Sequence, residues 1–175
     1  MNLIDLFATG ALLNGIVSII FGALVIIKNW RDRLNQFFFL MAISLAVWSF
    51  GYWQWQLSND YDTALMWVRI LSIGSLFVPI FFYNWVIRLL DINTIFNKAI
   101  SWFTGFVVVI ILCFTKTNLF IFGLEKESIF MFWPKSGVAY DIYFSYIYLG
   151  LITYSIYLLF RTYSTNNCNL YYTTS

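Results

Sequence analysis

Residues 6–27 read LFATGALLNGIVSIIFGALVII. The stretch carries no charge and contains thirteen Leu, Ile, Val or Phe side chains. A helix rises about 1.5 Å per residue, so a run of this length crosses the roughly 30 Å hydrocarbon core of a bilayer. Each of those side chains favours insertion near the bilayer centre by about 0.3 to 0.6 kcal/mol. A cleaved signal peptide is the rival reading. It is disfavoured because the amino end bears Asp5 in place of Lys or Arg, and because the apolar core is too long.

Four further stretches repeat the pattern, at residues 36–57, 64–90, 99–115 and 142–160. In the third, Arg69 and Arg88 bracket an uncharged centre; Lys98 and Lys116 flank the fourth, and Arg161 closes the fifth. The runs are continuous rather than alternating, which excludes β-barrel strands, and inside lipid only helices satisfy such a backbone. Composition agrees: 61% of the 175 residues are hydrophobic, 22% aromatic and 10% charged, where soluble domains are charged at about a quarter of their positions. Soluble enzymes, secreted toxins and nucleic-acid binders are excluded, the last because a net charge of +2 is too small for a polyanion-binding face. The expectation is an all-α, polytopic transmembrane helix bundle of five spans in the cell membrane, with the lipid bilayer as its first partner. One domain covers residues 1–161, and 162–175 form a polar, disordered cytoplasmic tail.

Lys and Arg fix the orientation, because loops rich in them stay cytoplasmic. Lys28, Arg31 and Arg33 follow the first span, and Arg88 and Lys98 follow the third. The opposite side receives Asp5, the acidic turn with Asp60 and Asp62, and a long segment, 116–141, whose Lys116, Lys126 and Lys135 are offset by Glu125, Glu127 and Asp141. The amino terminus is therefore placed outside and the carboxyl terminus inside. The long outer segment has two aromatic runs, 119–122 and 129–133, and reads as a hairpin or an interfacial helix on the membrane surface, ended by Trp133-Pro134 and Ser136-Gly137.

Few side chains offer chemistry. There is no His, which removes haem ligation, most zinc and copper sites, His-based acid/base catalysis and a phosphohistidine on this chain. Cys113 lies in an apolar run and Cys168 in the polar tail, so neither a disulfide, a metal site nor any cofactor is expected. Without a catalytic constellation, the expectation is no enzyme. A small transporter or channel subunit is the alternative, although inverted repeats, broken helices and deep acidic residues are missing.

Ala11, Gly15, Ser18 and Gly22 share one face of the first span and form a packing stripe, for an intramolecular contact or a homodimer seam. Ala42, Ala46 and Ser49 make a weaker one on the second. Arg69 lies inside the third span, where a cation must snorkel or pair. It reads as an anchor beside Trp67, with Asp62 as a plausible partner, or as a ligand- or signal-bearing residue. Pro79, mid-span, removes a backbone hydrogen bond and predicts a kink. Trp53 and Trp55, with Gln54 and Gln56, read as an outer aromatic belt, and Trp30, Trp85 and Trp102 as an inner one. Trp48, Asn84 and Asn14 lie deeper and are candidates to line an apolar small-molecule pocket.

Asn35 with Phe38 and Leu40, Trp48 before Gly51-Tyr52, and Ala64, Trp67 and Arg69 leading to Phe77, Pro79 and Phe82 form a recognisable pattern. Thr115, Asn118, Gly137, Tyr140, Tyr146, Tyr154 and Arg161 continue it, so that residues 8–165 are covered. The chain thereby resembles the amino-terminal seven-helix membrane sensor region of bacterial and archaeal histidine kinases and related signalling proteins. The resemblance implies a receptor-like input module that passes a small-molecule or membrane stimulus through helix movement to a cytoplasmic output. This sequence departs from it in having five spans where the family has seven, and in being followed by no output domain. A short protein that assembles with another copy or a separate signalling chain is one expectation; a truncated, non-functional gene product is the other.

Overall fold

The computed structural model describes residues 3–92 and 94–173, with side chains described to Ser164. Four helices, α1 (Leu3–Lys28), α2 (Arg33–Gln56), α3 (Tyr61–Leu89) and α4 (Ile95–Phe114), precede an antiparallel hairpin of β1 (Ile121–Glu127) and β2 (Phe130–Ser136). A short helix, α5 (Val138–Ile142), passes through a π-helical segment, Tyr143–Tyr148, into α6 (Leu149–Thr173). Val138–Ser164 acts as one rod and is the fifth of 5 helices long and apolar enough to cross a membrane.

Hydropathy located the spans, but capping sets where they begin. Asp32 accepts from the Leu34 amide at 3.0 Å, Asp60 from the Thr63 amide at 2.9 Å and Thr94 from the Asn97 amide at 3.2 Å. Each satisfies an amide that the first turn leaves unpaired. Helices therefore start at 33, 61 and 95, where apolarity alone placed them at 36, 64 and 99. The carboxyl end departs further from expectation. Residues 162–173 continue the last helix instead of forming a disordered tail, because that stretch contains no Pro or Gly to stop it. Thr174, Ser175 and the Cys168 side chain lie outside the described residues.

The helix α3 is the hub. It packs against α2, α4, α6 and both strands, while α1 packs on α2. Val68, Leu76, Tyr83 and Val86 of α3 are buried. By contrast, α4 turns Trp102, Phe103 and Phe106 outward, as a helix solvated by lipid on one side does. Small residues set the helix separations. A Cβ added at Gly74 of α3 meets the backbone of α2, 2.5 Å from Trp48 N and 2.7 Å from Ser44 O. On α1, Gly15 faces Phe50 and Ser49 and Gly22 faces Ala42, so the small-residue stripe serves the contact with α2, where Ala42, Ala46 and Ser49 are all buried. Such close approach is the main source of helix association in lipid, where burial of apolar surface supplies no drive.

Of the two forms open to the outer segment, the chain adopts the hairpin. Glu127 pairs with Phe130 across a two-residue turn, and Ser128 there takes φ 53. The hairpin folds back onto the bundle: the indole N–H of Trp55 donates to Phe132 O at 2.7 Å, and the Leu124 amide donates to the Tyr61 hydroxyl at 3.4 Å. Gly137 then admits the turn into α5, since a Cβ there collides with Leu119 O, the carbonyl that accepts from the Ala139 amide at 2.9 Å.

Gly74→Ala is expected to destabilise the bundle by about 1 to 3 kcal/mol through overpacking. Gly105→Ala, where nothing lies within 4 Å, is expected to be neutral or slightly stabilising, and detergent-denaturation midpoints compare the two. Asp60 supplies a second expectation. The backbone and side-chain hydrogen bonds from Thr63 hold its carboxyl below the usual carboxylate range. Its cap is therefore intact above that range and is lost as pH falls through the lowered value. Amide exchange at Thr63 should accelerate there in the native chain, and much less in Asp60→Asn, which caps without titrating.

Candidate functional site: a cavity between two helices and the hairpin base

The positions Val68, Leu71, Ser72 and Ser75 recur at helical spacing and share one face of α3. That face, together with Trp48 of α2, the entry to β1 at Phe120 and Ile121, the exit of β2 from Trp133 to Ser136, and Tyr140 of α5, encloses a cavity of about 300 Å³. Its floor is apolar. Hydroxyls line it at Ser72, Ser75, Ser136 and Tyr140, and the two on α3 have their hydrogens committed: Ser72 Oγ donates to Val68 O at 2.7 Å and Ser75 Oγ to Ser72 O at 2.8 Å. Lys135 is a charged residue at its edge, and an ion pair with Glu125 at 2.9 Å already occupies it.

Below the cavity, α3 continues through Pro79. Proline has no N–H, so the carbonyl of Ser75, four residues earlier, loses its helical donor. The Tyr143 hydroxyl donates to Leu76 O at 2.9 Å and approaches Ser75 O at 3.3 Å. Tyr143 is only 1% exposed and opens the π-helical segment of the fifth rod. The site thus has two storeys on one helix: an open cavity at Ser72 and Ser75, and beneath it a cross-helix hydrogen bond to the same turn. Both are held by the stretch from Tyr140 to Tyr143. A π-turn inserts one extra residue into a helix and recurs at functional positions.

Of the candidates named from sequence, Trp48 lines the cavity and Pro79 lies under it. Asn84 does not join them. It accepts from Ser101 Oγ at 3.0 Å and donates to Ile80 O at 2.9 Å, bridging α3 to α4. Asn14 donates to Ser49 Oγ at 2.6 Å, bridging α1 to α2. Arg69 extends from α3 to donate, through Nη2, to Lys116 O at 3.1 Å. Its partner is the carboxyl end of α4 rather than Asp62, a placement the helix dipole favours. Trp55 leaves the belt assigned to it: it is 5% exposed and stacks on Phe130 at 6.0 Å. Trp30 and Trp102, at 66% and 81% exposure, keep outward positions.

Ser72, Ser75 and Tyr143 were missed, and Tyr140 was read only as part of the family pattern. The i, i+3 serines facing Trp48 carried a weak signal, whereas nothing local marks Tyr143, whose height depends on the hairpin that precedes it. Another buried polar pair, Tyr83 hydroxyl to Asn97 Oδ1 at 3.1 Å, also escaped; it ties α3 to the start of α4.

The fold and its packing define a multi-pass α-helical membrane protein. The sequence profile of the N-terminal 7TM region of histidine kinase matches residues 12–174, and the chain belongs to that family. No curated protein and no solved structure matches. The matched range begins within α1 and takes in the cavity, the Pro79 turn and the fifth rod.

Tyr143→Phe is expected to cost about 1 kcal/mol of bundle stability, the worth of a cross-helix hydrogen bond in lipid. In a Pro79→Ala background, where residue 79 again has an N–H for Ser75 O, the loss should shrink. A double-mutant cycle in detergent measures that coupling.

Proposed function

We propose that this chain is the input module of a signal-transduction system, with no catalysis of its own. A stimulus reaching the hairpin end changes how the fifth rod packs on α3, and α6 carries the change to a cytoplasmic signalling partner. The observation that carries this reading is the family match together with the Tyr143 bond. The last helix leaving the membrane is hydrogen-bonded to the hub at its proline, where a helix is cheapest to rearrange. A relay needs such a two-state element, which both ends can bias.

The relay runs outward to inward. Lys28, Arg31, Arg33, Arg88 and Lys98 gather where α1 meets α2 and α3 meets α4, at the helix ends away from the hairpin, so the positive-inside rule puts the hairpin outside and α6 inside. Two experiments test the reading. Single cysteines introduced in the hairpin should be labelled from outside intact cells, while cysteines in the loop between α1 and α2 should be protected. The full chain reconstituted in vesicles should give no saturable solute flux. A robust, saturable flux makes the chain a transporter and removes the sensor assignment.

A further inference from the structure

We propose that the cavity between α2, α3 and the hairpin base is the stimulus site, and that it takes an uncharged, flat, largely apolar molecule carrying one N–H or O–H donor. The inference rests on the sensor reading and adds the ligand's chemistry to it.

The donor requirement follows from the two serines. Each hydroxyl has one hydrogen, and Ser72 spends it on Val68 O and Ser75 on Ser72 O. Toward the cavity they present lone pairs only. An occupant without a donor leaves those acceptors unpaired in an apolar surround, which costs affinity. Charge is excluded by the same inventory. Lys135 is the charged side chain lining the cavity, and Glu125 already neutralises it, so a carboxylate or ammonium ligand would enter without a counter-ion. Shape follows from Trp48, Phe120 and Trp133 on the walls, which offer ring faces for stacking. A volume of about 300 Å³ fits a ligand on the order of ten to fifteen non-hydrogen atoms at interior packing density.

Occupancy bears on the relay through one short stretch. Tyr140 lines the cavity, and Tyr143, one turn on, holds Leu76 O. A molecule seated between Ser75 and Tyr140 presses on the two elements that this hydroxyl joins.

Indole and 1-methylindole test the site, because they share a ring system and differ in the donor. The full chain in lipid nanodiscs, labelled with 5-fluorotryptophan, reports on Trp48 once its resonance is assigned by Trp48→Phe. Indole should shift that resonance saturably, with 1-methylindole about fivefold weaker. Ser72→Ala with Ser75→Ala should make the two probes equal while leaving the Trp30 and Trp102 resonances in place as a control of the fold. Should the double variant not fold, Ser75→Ala alone is expected to narrow the difference. Equal affinities in the native chain, or a shift that grows linearly without saturation as partitioning into lipid does, would overturn the proposal. Such a failure leaves the vesicle and labelling results standing, whereas a saturable flux removes the sensor assignment and leaves indole binding as measured.

Discussion

In lipid every backbone polar group must find its partner within the protein, and that constraint orders the structure. It makes the crossings helical. It also makes Pro79 a problem that another helix must solve. The Tyr143 hydroxyl, 68 residues on in sequence, reaches the orphaned Ser75 O at 3.3 Å while donating to the neighbouring Leu76 O at 2.9 Å. The π-helical segment beginning at Tyr143 is where the fifth rod gives up its own regularity to place that hydroxyl.

The same constraint explains why α3 is the hub. It holds polar side chains at intervals along its length: Arg69 on the end of α4, Ser72 and Ser75 on their own carbonyls, Tyr83 on Asn97 and Asn84 on Ser101. Each is satisfied at one donor or acceptor, and several bind a different neighbouring element. Glycine at position 74 lets α2 close on its other side. The outcome is a helix fastened at several heights, with a gap left where the hairpin base stands between it and α2. An opening among such fastenings is where a small molecule can enter without breaking a helix contact.

Five crossings and their order were legible because length and apolarity decide them, whereas the outer segment read equally as a hairpin or an interfacial helix and only the β1–β2 pairing decides it. The stripe containing Gly15 and Gly22 was legible as a close helix contact, but whether it served the same chain or a second copy was not; the structure sets both glycines against α2. Depth along the membrane was readable, but azimuth was not. Trp48, Asn84 and Asn14 lie at plausible depths for a shared pocket, yet they point to three different interfaces. Trp55 has the composition and position of a belt residue, and only the fold-back of the hairpin buries it. Arg69 shows the limit for charges: the burden of a cation in a span is visible, whereas the carbonyl that relieves it, Lys116 O, belongs to a residue 47 positions on. The polar run after Phe160 resembled a tail because polarity at the end of a chain usually means disorder, but helix continuation needs only the absence of a breaker.

The most direct test is infrared spectroscopy of the full chain in bilayers with a single ¹³C=¹⁸O label at Leu76. A carbonyl that accepts the Tyr143 hydroxyl absorbs at a lower frequency than one without that donor. The account predicts that the band moves upward in Tyr143→Phe while a label at Val108, on α4, stays where it is. An unchanged Leu76 band would mean that the fifth rod does not grip the proline turn, and the relay built on that bond would fall.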